Sequence, residues 1–178
     1  ADWCGVDMPG RGSYSFESEG PATAVAEQPQ PHSADKKKPV LITGATGLVG
    51  IHTCRELSKN GWQLRALIRD PAKAAMVLGQ LPVEFRVGDV RDASSLRSSL
   101  NGCGAVVHLA AIAIEKKTEK YGETNTAATE RIISAARAEG VQRIIFMSQN
   151  GADSRSKFPF LHSKGVAQDS VKTSGLRW

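Results

Sequence analysis

The sequence predicts an α/β fold, a doubly wound parallel sheet over residues 39–178 that follows an extended tail over residues 1–38. Two observations predict this fold. From Pro39 onward, short apolar runs alternate with longer segments that have the length and spacing of crossover helices. A glycine-rich turn follows the first apolar run, and such a turn between a strand and a helix is typical of this class of sheet.

Several apolar runs have the length and residue types of strands buried in a parallel sheet. The first run, Val40-Leu41-Ile42, ends in a glycine turn. We predict strands at residues 40–42, 64–68, 83–87, 105–109 and 143–147. Leu176-Arg177-Trp178 then predicts the beginning of a sixth strand where the sequence ends, so we expect a sheet that is truncated at this strand.

Capping signals mark the helices between these strands. Asn60-Gly61 and Gly140 are C-terminal caps, Pro71 occupies a favoured first-turn position, and Asp92 is an N-cap. We predict helices at residues 48–59, 71–79, 92–100, 123–138 and 160–173. Each crossover is long enough to return the chain to the same edge of a parallel sheet.

Composition limits the class of protein. The chain has 178 residues, of which 40% are hydrophobic, and this suffices for one domain with a core. It has no apolar run long enough to span a bilayer. Cys54 and Cys103 lie in apolar patterns and are expected to be buried, reduced thiols, and no cysteine or histidine spacing predicts a metal site. The net charge of +5 suits an anionic partner such as a phosphorylated cofactor, RNA or anionic lipid.

The first 38 residues have the composition of a solvated tail. They are rich in Gly, Pro, Ser, Ala, Glu and Gln and lack helix or strand periodicity, which favours a disordered linker. Trp3, Tyr14 and Phe16 are large apolar side chains within it, and the alternative is that they dock on a partner protein. Because the first residue is Ala1 rather than methionine, we expect a processed N-terminus, as in an organelle after removal of a presequence.

The segment after the first strand has the spacing of a phosphate-binding loop. Glycines with the spacing G-x-x-G-x-x-G permit a tight turn, close approach of a pyrophosphate, and packing of helix on strand. The pyrophosphate then lies at a helix N-terminus, where free N–H groups favour negative charge. We predict a dinucleotide site here, the alternative being a glycine-rich turn without a ligand. Its candidate residues are Gly44, Thr46, Gly47, Leu48, Val49 and Gly50.

The residue at the end of the second strand indicates which dinucleotide binds. An acidic residue there binds the ribose 2′-hydroxyl of NAD, whereas a cation binds the 2′-phosphate of NADP. This chain has Arg69 at the strand end, followed by Asp70, and a guanidinium matches phosphate geometry. We therefore predict NADP(H), with NAD(H) less favoured. The alternative for Arg69 is an exposed side chain paired with Asp70.

Further motifs follow in order: Arg69-Asp70-Pro71, Gly88-Asp89-Val90, His108-Leu109-Ala110-Ala111, Asn125 and Lys164. Together with the glycine loop they resemble the atypical, extended short-chain dehydrogenase/reductases, a family with a Rossmann fold. The resemblance covers residues 39–178 and is strongest to the branch with the nucleotide-binding accessory subunit of respiratory complex I and related bacterial and plastid proteins.

The resemblance implies roles for several residues. It implies that Asp89 and Val90 contact the adenine end of the cofactor. Ala110 and Ala111 would line the loop near the ribose and nicotinamide, and Lys164 would reach the nicotinamide ribose rather than being a surface charge. Asn125 is expected within the long helix.

Enzymes of this family transfer a proton with a Tyr-x-x-x-Lys pair, in which the ammonium lowers the pKa of a phenol on the same helix face. Here the residue four before Lys164 is Phe160, which has no proton to donate. The family's serine position falls on Gln149, with Ser148 one residue earlier. His162 lies on another helix face and is not expected to replace the acid.

These features favour binding without turnover. We expect an NADP(H)-binding, non-catalytic accessory subunit or assembly factor of a larger complex in a chloroplast or mitochondrion, with protein subunits, including membrane-associated ones, as partners. The alternative is an active NADPH-dependent reductase or isomerase with an unusual acid, whose substrate region lies outside this chain. The two tyrosines, Tyr14 and Tyr121, lie outside the catalytic register. RNA binding is least favoured because no basic patch interleaved with aromatic residues is visible.

Overall fold

The computed structural model describes residues 38–178, which form a five-stranded parallel sheet with helical crossovers. Its strands lie in the order β3-β2-β1-β4-β5, which is the order of a dinucleotide-binding Rossmann sheet. The predicted fold class is therefore confirmed. The elements are β1 Val40–Thr43, α1 Leu48–Lys59, β2 Leu64–Ile68, α2 Pro71–Leu78, β3 Val83–Val87, α3 Ala93–Leu100, β4 Ala105–His108, α4 Ala128–Ala138, β5 Arg143–Phe146 and α5 Pro159–Lys172.

The sheet is packed on both faces. Leu41, Val106 and Ile144 face a core that includes residues of α3 and α4. The next residues along two of the same strands, Ile42 and Val107, face a second core with residues of α1 and α2. Successive side chains of a strand point to opposite faces, so burial of both faces requires the nearly continuous apolar runs of the sequence.

The helix ends follow the predicted capping signals. Gly61 and Gly140 both have a positive φ, and each is followed by a residue whose N–H reaches back to the last turn, as in Trp62 N to Leu57 O at 3.1 Å. Asp92 caps α3 by accepting hydrogen bonds from the next N–H groups of the helix. These local signals fix where the crossovers begin and end.

The beginning of the predicted 123–138 helix differs from expectation. Residues Gly122–Ala127 form a π-helical turn, and the regular helix α4 begins only at Ala128. The side chain of Thr129 donates to the carbonyl of Asn125 at 2.6 Å, which satisfies a main-chain acceptor within the widened turn. Such turns often occur at functional sites.

Only the first contacts of a sixth strand are present in the described residues. Arg177 forms an isolated parallel bridge with Arg143 at the free side of β5. The main-chain N–H of Ile144 donates to Arg177 O at 2.8 Å, and Arg177 N donates to Gln142 O at 3.0 Å. The last residues thus extend the sheet in the predicted direction.

One charged side chain is buried within the sheet. Arg65, in β2, is 9% exposed, and its Nε donates to Glu84 Oε2 at 2.7 Å. Its Nη1 donates to the carbonyls of Ser99 and Asn101 at 2.8 and 2.7 Å, at the C-terminus of α3. A cation at a helix C-terminus satisfies carbonyls that have no partner within the helix. Arg65 therefore joins β2, β3 and α3.

Within residues 38–178 none of the helices has the length and hydrophobicity of a membrane span. The tail predicted for residues 1–38, with Trp3, Tyr14 and Phe16, lies outside the described residues except for Lys38.

Candidate dinucleotide-binding site

A cleft of about 460 Å³ lies at the carboxyl ends of β1 to β4. The strand order reverses between β1 and β4, and ligands of open α/β sheets bind at such a switch point. The cleft contains eight predicted cofactor residues, namely Gly44, Thr46, Gly47, Arg69, Asp89, Val90, Ala110 and Ala111. Four others, Leu48, Val49, Gly50 and Lys164, do not line it.

The glycine corner leaves the main chain bare towards the cleft. Gly44 has a φ of +72°, and a Cβ there would lie 2.7 Å from the main-chain nitrogen of Ala110. A Cβ on Gly50 would overlap the carbonyl of Gly44, so the start of α1 packs directly on the turn. Gly47 is the N-cap of α1 and provides no side-chain hydrogen bond to its first turn. A pyrophosphate fits this corner because free amides face it without side chains.

Leu48 is 78% exposed and Val49 is 43% exposed. Both residues belong to the first turn of α1, where N–H groups have no acceptor within the helix. Their predicted contact with a phosphate would therefore be made by the main chain.

The predicted alternative of an Arg69–Asp70 ion pair is wrong. Arg69 Nη1 lies 2.7 Å from Glu119 Oε1, 50 residues further along the chain. Asp70 instead caps α2, where its side chain accepts the N–H of Lys73 at 3.0 Å. The carboxylate that the sequence places beside Arg69 is thus turned towards a helix N-terminus, which it stabilises.

Two further cations line the cleft, Lys73 in α2 and Arg91 after β3. Asp89 holds Arg91 through two side-chain hydrogen bonds, Nε to Oδ1 at 3.0 Å and Nη2 to Oδ2 at 2.8 Å. These bonds keep the pKa of the Asp89 carboxyl below its usual value. With Arg69, the cleft therefore presents three cations, of which the sequence analysis identified one.

Thr124 is a candidate contact that sequence reasoning missed. It is 6% exposed and lines the cleft, and its Oγ1 has no hydrogen-bond partner within residues 38–178. Buried hydroxyls are nearly always paired, so an unpaired hydroxyl on a residue that lines the cleft makes Thr124 a candidate ligand contact. No sequence signal separates this threonine from its neighbours Thr126 and Thr129.

We expect Thr124→Val to weaken NADPH binding by about five- to tenfold, the value of one hydrogen bond. The free energy of unfolding of the free protein should stay equal or rise, because the change removes an unpaired buried hydroxyl. Fluorescence titration and denaturant unfolding measure the two quantities. The control is Thr126→Val, which removes a bond to Ser163 O of 3.1 Å and should lower stability without weakening binding. Equal affinity losses in both variants would contradict the assignment.

Asn125 clamps the loop after β4. Its Oδ1 accepts the N–H of Ile112 at 2.9 Å, and its Nδ2 donates to Ile112 O at 3.0 Å and to Ser163 Oγ at 3.1 Å. The π-helical turn brings this side chain between the loop and α5. Asn125 thus positions the loop of Ala110 and Ala111 rather than lining the cleft itself.

A buried histidine links the glycine corner to the same turn. His108 Nδ1 lies 2.7 Å from Thr43 Oγ1, and Nε2 lies 3.0 Å from Thr129 Oγ1. Thr129 already donates to Asn125 O, so it must accept from Nε2–H, and Nδ1 accepts from Thr43. Burial, with a smaller effect of Lys164, lowers the pKa of His108 to about 3. The imidazole is neutral in a defined tautomer.

Lys164 is not a surface charge. It is 5% exposed, its Nζ donates to Met147 O at 2.6 Å, and it lies 4.3 Å from the centre of the Phe146 ring. Burial lowers the pKa of this ammonium to about 8. The lysine is therefore anchored at the end of β5, and its contact with a nicotinamide ribose stays a prediction.

The hydroxyl groups near Lys164 have other partners. The centres of the Phe160 and Tyr121 rings lie 5.7 Å apart. The fold therefore brings Tyr121, which lies on another element, close to the position of the family's catalytic tyrosine. Tyr121 Oη donates to Ala113 O at 2.8 Å, and Ser148 Oγ donates to Gln168 Oε1 at 2.6 Å. In this arrangement neither hydroxyl is bonded to Lys164.

A family model described as NAD(P)H-binding matches residues 44–178, most of the chain. The chain belongs to this NAD(P)H-binding family. Its fold is that of the short-chain dehydrogenase/reductases, in agreement with the predicted resemblance. A family of this description binds a nicotinamide dinucleotide. The glycine turn after β1 and the unpaired hydroxyl of Thr124 are consistent with such a ligand.

The relatives of this family member include enzymes and an assembly factor. It is 31% identical to a ceramide reductase of Caulobacter vibrioides over 143 residues, 80% of this chain and 44% of the reductase. It is 28% identical to the photosystem II assembly factor Ycf39 of Cyanophora paradoxa over 141 residues, 78% of this chain and 43% of that protein. The chain thus spans less than half the length of these two relatives.

Solved structures share the fold. Pen from Bacillus thuringiensis superposes with a TM-score of 0.70 at 23% identity, over 78% of this chain and 47% of that one. MoeE5 in complex with UDP-glucose and NAD gives a TM-score of 0.64 at 24% identity, over 76% and 48% of the two chains.

Proposed function

We propose that this chain is the dinucleotide-binding part of a protein that holds NADP(H) without turnover and serves as an assembly factor or accessory subunit of a larger complex in a chloroplast or mitochondrion. The observation that carries this proposal is the combination of an open cofactor cleft with Phe160 one helical turn before the buried Lys164. Phenylalanine offers no proton where family enzymes have a phenol.

The cations of the cleft support NADP(H) over NAD(H). Arg69 lies at the end of β2, and Lys73 and Arg91 line the same end of the cleft. A 2′-phosphate carries up to two negative charges, and guanidinium groups bind phosphate oxygens through paired N–H donors. When bound, the dinucleotide can supply hydride to a substrate; in the proposed role its effect is to stabilise the folded chain, as any ligand specific for that state does.

The relatives support two roles. The photosystem II assembly factor supports a non-catalytic role at a larger complex. The ceramide reductase supports the alternative, an NADPH-dependent reductase. One contact favours this alternative, because the phenol-bearing ring of Tyr121 lies 5.7 Å from Phe160. A rotation of Tyr121 that breaks its bond to Ala113 would bring a proton donor to this region.

The test uses the full-length protein, because this chain spans less than half the length of the two relatives above. We expect NADPH to bind in a fluorescence titration and to raise the melting temperature, and we expect no substrate-dependent NADPH oxidation with a panel of ketones and aldehydes. Absence of nucleotide binding would overturn the proposal. Steady oxidation that Lys164→Met and Tyr121→Phe both abolish would establish the reductase instead.

A further inference from the structure

The segment after β4 folds into a compact turn over residues 113–121, the 113–121 turn. Lys116 and Glu119 face each other across it, with Lys116 N donating to Glu119 O at 3.0 Å. Glu115 Oε1 accepts the N–H of Tyr121 at 2.8 Å, and Tyr121 Oη donates to Ala113 O at 2.8 Å. Hydrogen bonds within the segment therefore close the turn.

Two arginines that line the cleft, Arg69 and Arg91, hold this turn. Arg69 Nη1 lies 2.7 Å from Glu119 Oε1, and Arg91 Nη1 lies 3.3 Å from Thr118 O. The Glu119 side chain is 15% exposed, whereas that of Arg69 is 62% exposed. The hydrogen bond from Arg69 keeps the pKa of Glu119 below its usual value, so the carboxylate is ionised at neutral pH. An incoming anion can therefore reach the Arg69 guanidinium, where it meets Glu119 as a competing acceptor.

We propose that Glu119 is a tethered competitor for the 2′-phosphate of the cofactor: it occupies Arg69 in the free protein, and a nucleotide 2′-phosphate displaces it and releases the 113–121 turn. This inference rests on the proposed binding of NADP(H). A carboxylate and a phosphate bind a guanidinium through the same N–H groups. Two anions that share one guanidinium repel each other, and the phosphate carries the larger charge.

The proposal makes Glu119 a determinant of cofactor preference together with Arg69. A nucleotide with a 2′-hydroxyl brings no second anion to Arg69 and leaves the Arg69–Glu119 pair in place. A nucleotide with a 2′-phosphate must break that pair, so its affinity is lowered by the free energy of the pair. An exposed or half-exposed ion pair contributes up to about 1 kcal/mol, equivalent to about fivefold in affinity.

The first test compares the affinities of NADPH and NADH for Glu119→Gln. We expect NADPH to bind about three- to fivefold more tightly than to the wild type, and NADH to stay within about twofold. The control is Glu115→Gln, which has the same change of charge in the same turn. Glu115 is bonded to Lys120 and Tyr121 rather than to Arg69, so both affinities should stay unchanged.

A second readout follows the release of the turn directly. Lys116 and Lys117 are exposed trypsin sites within it. We expect NADPH, and not NADH, to accelerate tryptic cleavage at these sites several-fold in the wild type. In Glu119→Gln without nucleotide, cleavage at these sites should be as fast as in the wild type with NADPH bound.

The outcomes separate this inference from the proposed function. A wild-type protein that binds neither nucleotide removes both. Normal NADPH binding with equal or weaker affinity in Glu119→Gln overturns the competitor while the proposed function stands. A loss of NADH affinity in Glu119→Gln also overturns it, because Glu119 would then bind a ribose hydroxyl.

Discussion

Replacing Arg65 by methionine is expected to lower the free energy of unfolding by about 2–4 kcal/mol. The methionine fills similar space but removes the guanidinium donor from the buried carbonyl of Ser99, which keeps only the weak thiol donor of Cys103 at 3.4 Å, and from the half-buried carbonyl of Asn101. Each buried acceptor without a partner costs about 1–3 kcal/mol. The lost pair with Glu84 adds little, because that carboxylate is 43% exposed and regains water.

Denaturant unfolding measures this loss of stability. Two further variants show how much of it comes from the pair with Glu84 and how much from the bonds to the α3 carbonyls. Glu84→Gln should cost less than about 1 kcal/mol, since it removes only the exposed half of the pair. Arg65→Lys should fall between the wild type and Arg65→Met, because a single ammonium cannot reproduce the fork of guanidinium donors. A methionine variant as stable as the wild type would show that Arg65 does not hold α3 to the sheet.

Acidification below about pH 6.5 is expected to destabilise the fold through His108 by about 1.4 kcal/mol per pH unit. The pKa of His108 is about 3 in the folded chain, against a value near 6.5 when unfolded. Between these values the unfolded chain binds a proton that the folded chain does not, so stability is complete above pH 6.5 and decreases as pH falls. The nearby Lys164 ammonium opposes a second positive charge in the same region.

Unfolding free energies of the wild type and His108→Gln between pH 4.5 and 7.5 test this prediction. Glutamine retains a donor and an acceptor but does not titrate. The slope of the unfolding free energy against pH should therefore be smaller in the variant by about the uptake of one proton, even if the variant is less stable at every pH. Carboxylates whose pKa is lowered, such as Asp89, act in the same direction only at lower pH. Parallel pH profiles for the two proteins would contradict the role of His108.

The elements of the fold were predictable because their signals are local. The apolar strand runs, the glycines at 61 and 140 and the Asp92 cap are each read from residues close together in the sequence. The glycine corner was predictable from the spacing of its glycines. The constraint on Gly50 is local, since a Cβ there would meet the backbone of Gly44 and Ala45, whereas a Cβ on Gly44 would meet the main chain of Leu109 and Ala110 after β4.

The missing parts of the site depend on residues far apart in the chain. The partner of Arg69 is Glu119 rather than the adjacent Asp70, and the burial of Lys164 requires the end of β5. Asn125 and Thr124 look like ordinary helix residues in the sequence. Asn125 bonds to a loop residue 13 positions earlier, whereas Thr124 lines the cleft with a buried hydroxyl that has no partner among the described residues.

The π-helical turn of Gly122–Ala127 continues directly into α4, and it changes the direction in which side chains point before and after it. In an α-helix each residue advances the side-chain direction by about 100°, so the widened turn resets the phase of the residues before Ala128 relative to those after it. Deleting one residue there would regularise the hydrogen bonds and keep α4 seated, yet would rotate Thr124 away from the cleft and Asn125 away from the loop after β4. The helix can therefore change its ligand-facing segment in evolution without repacking the segment that faces the core.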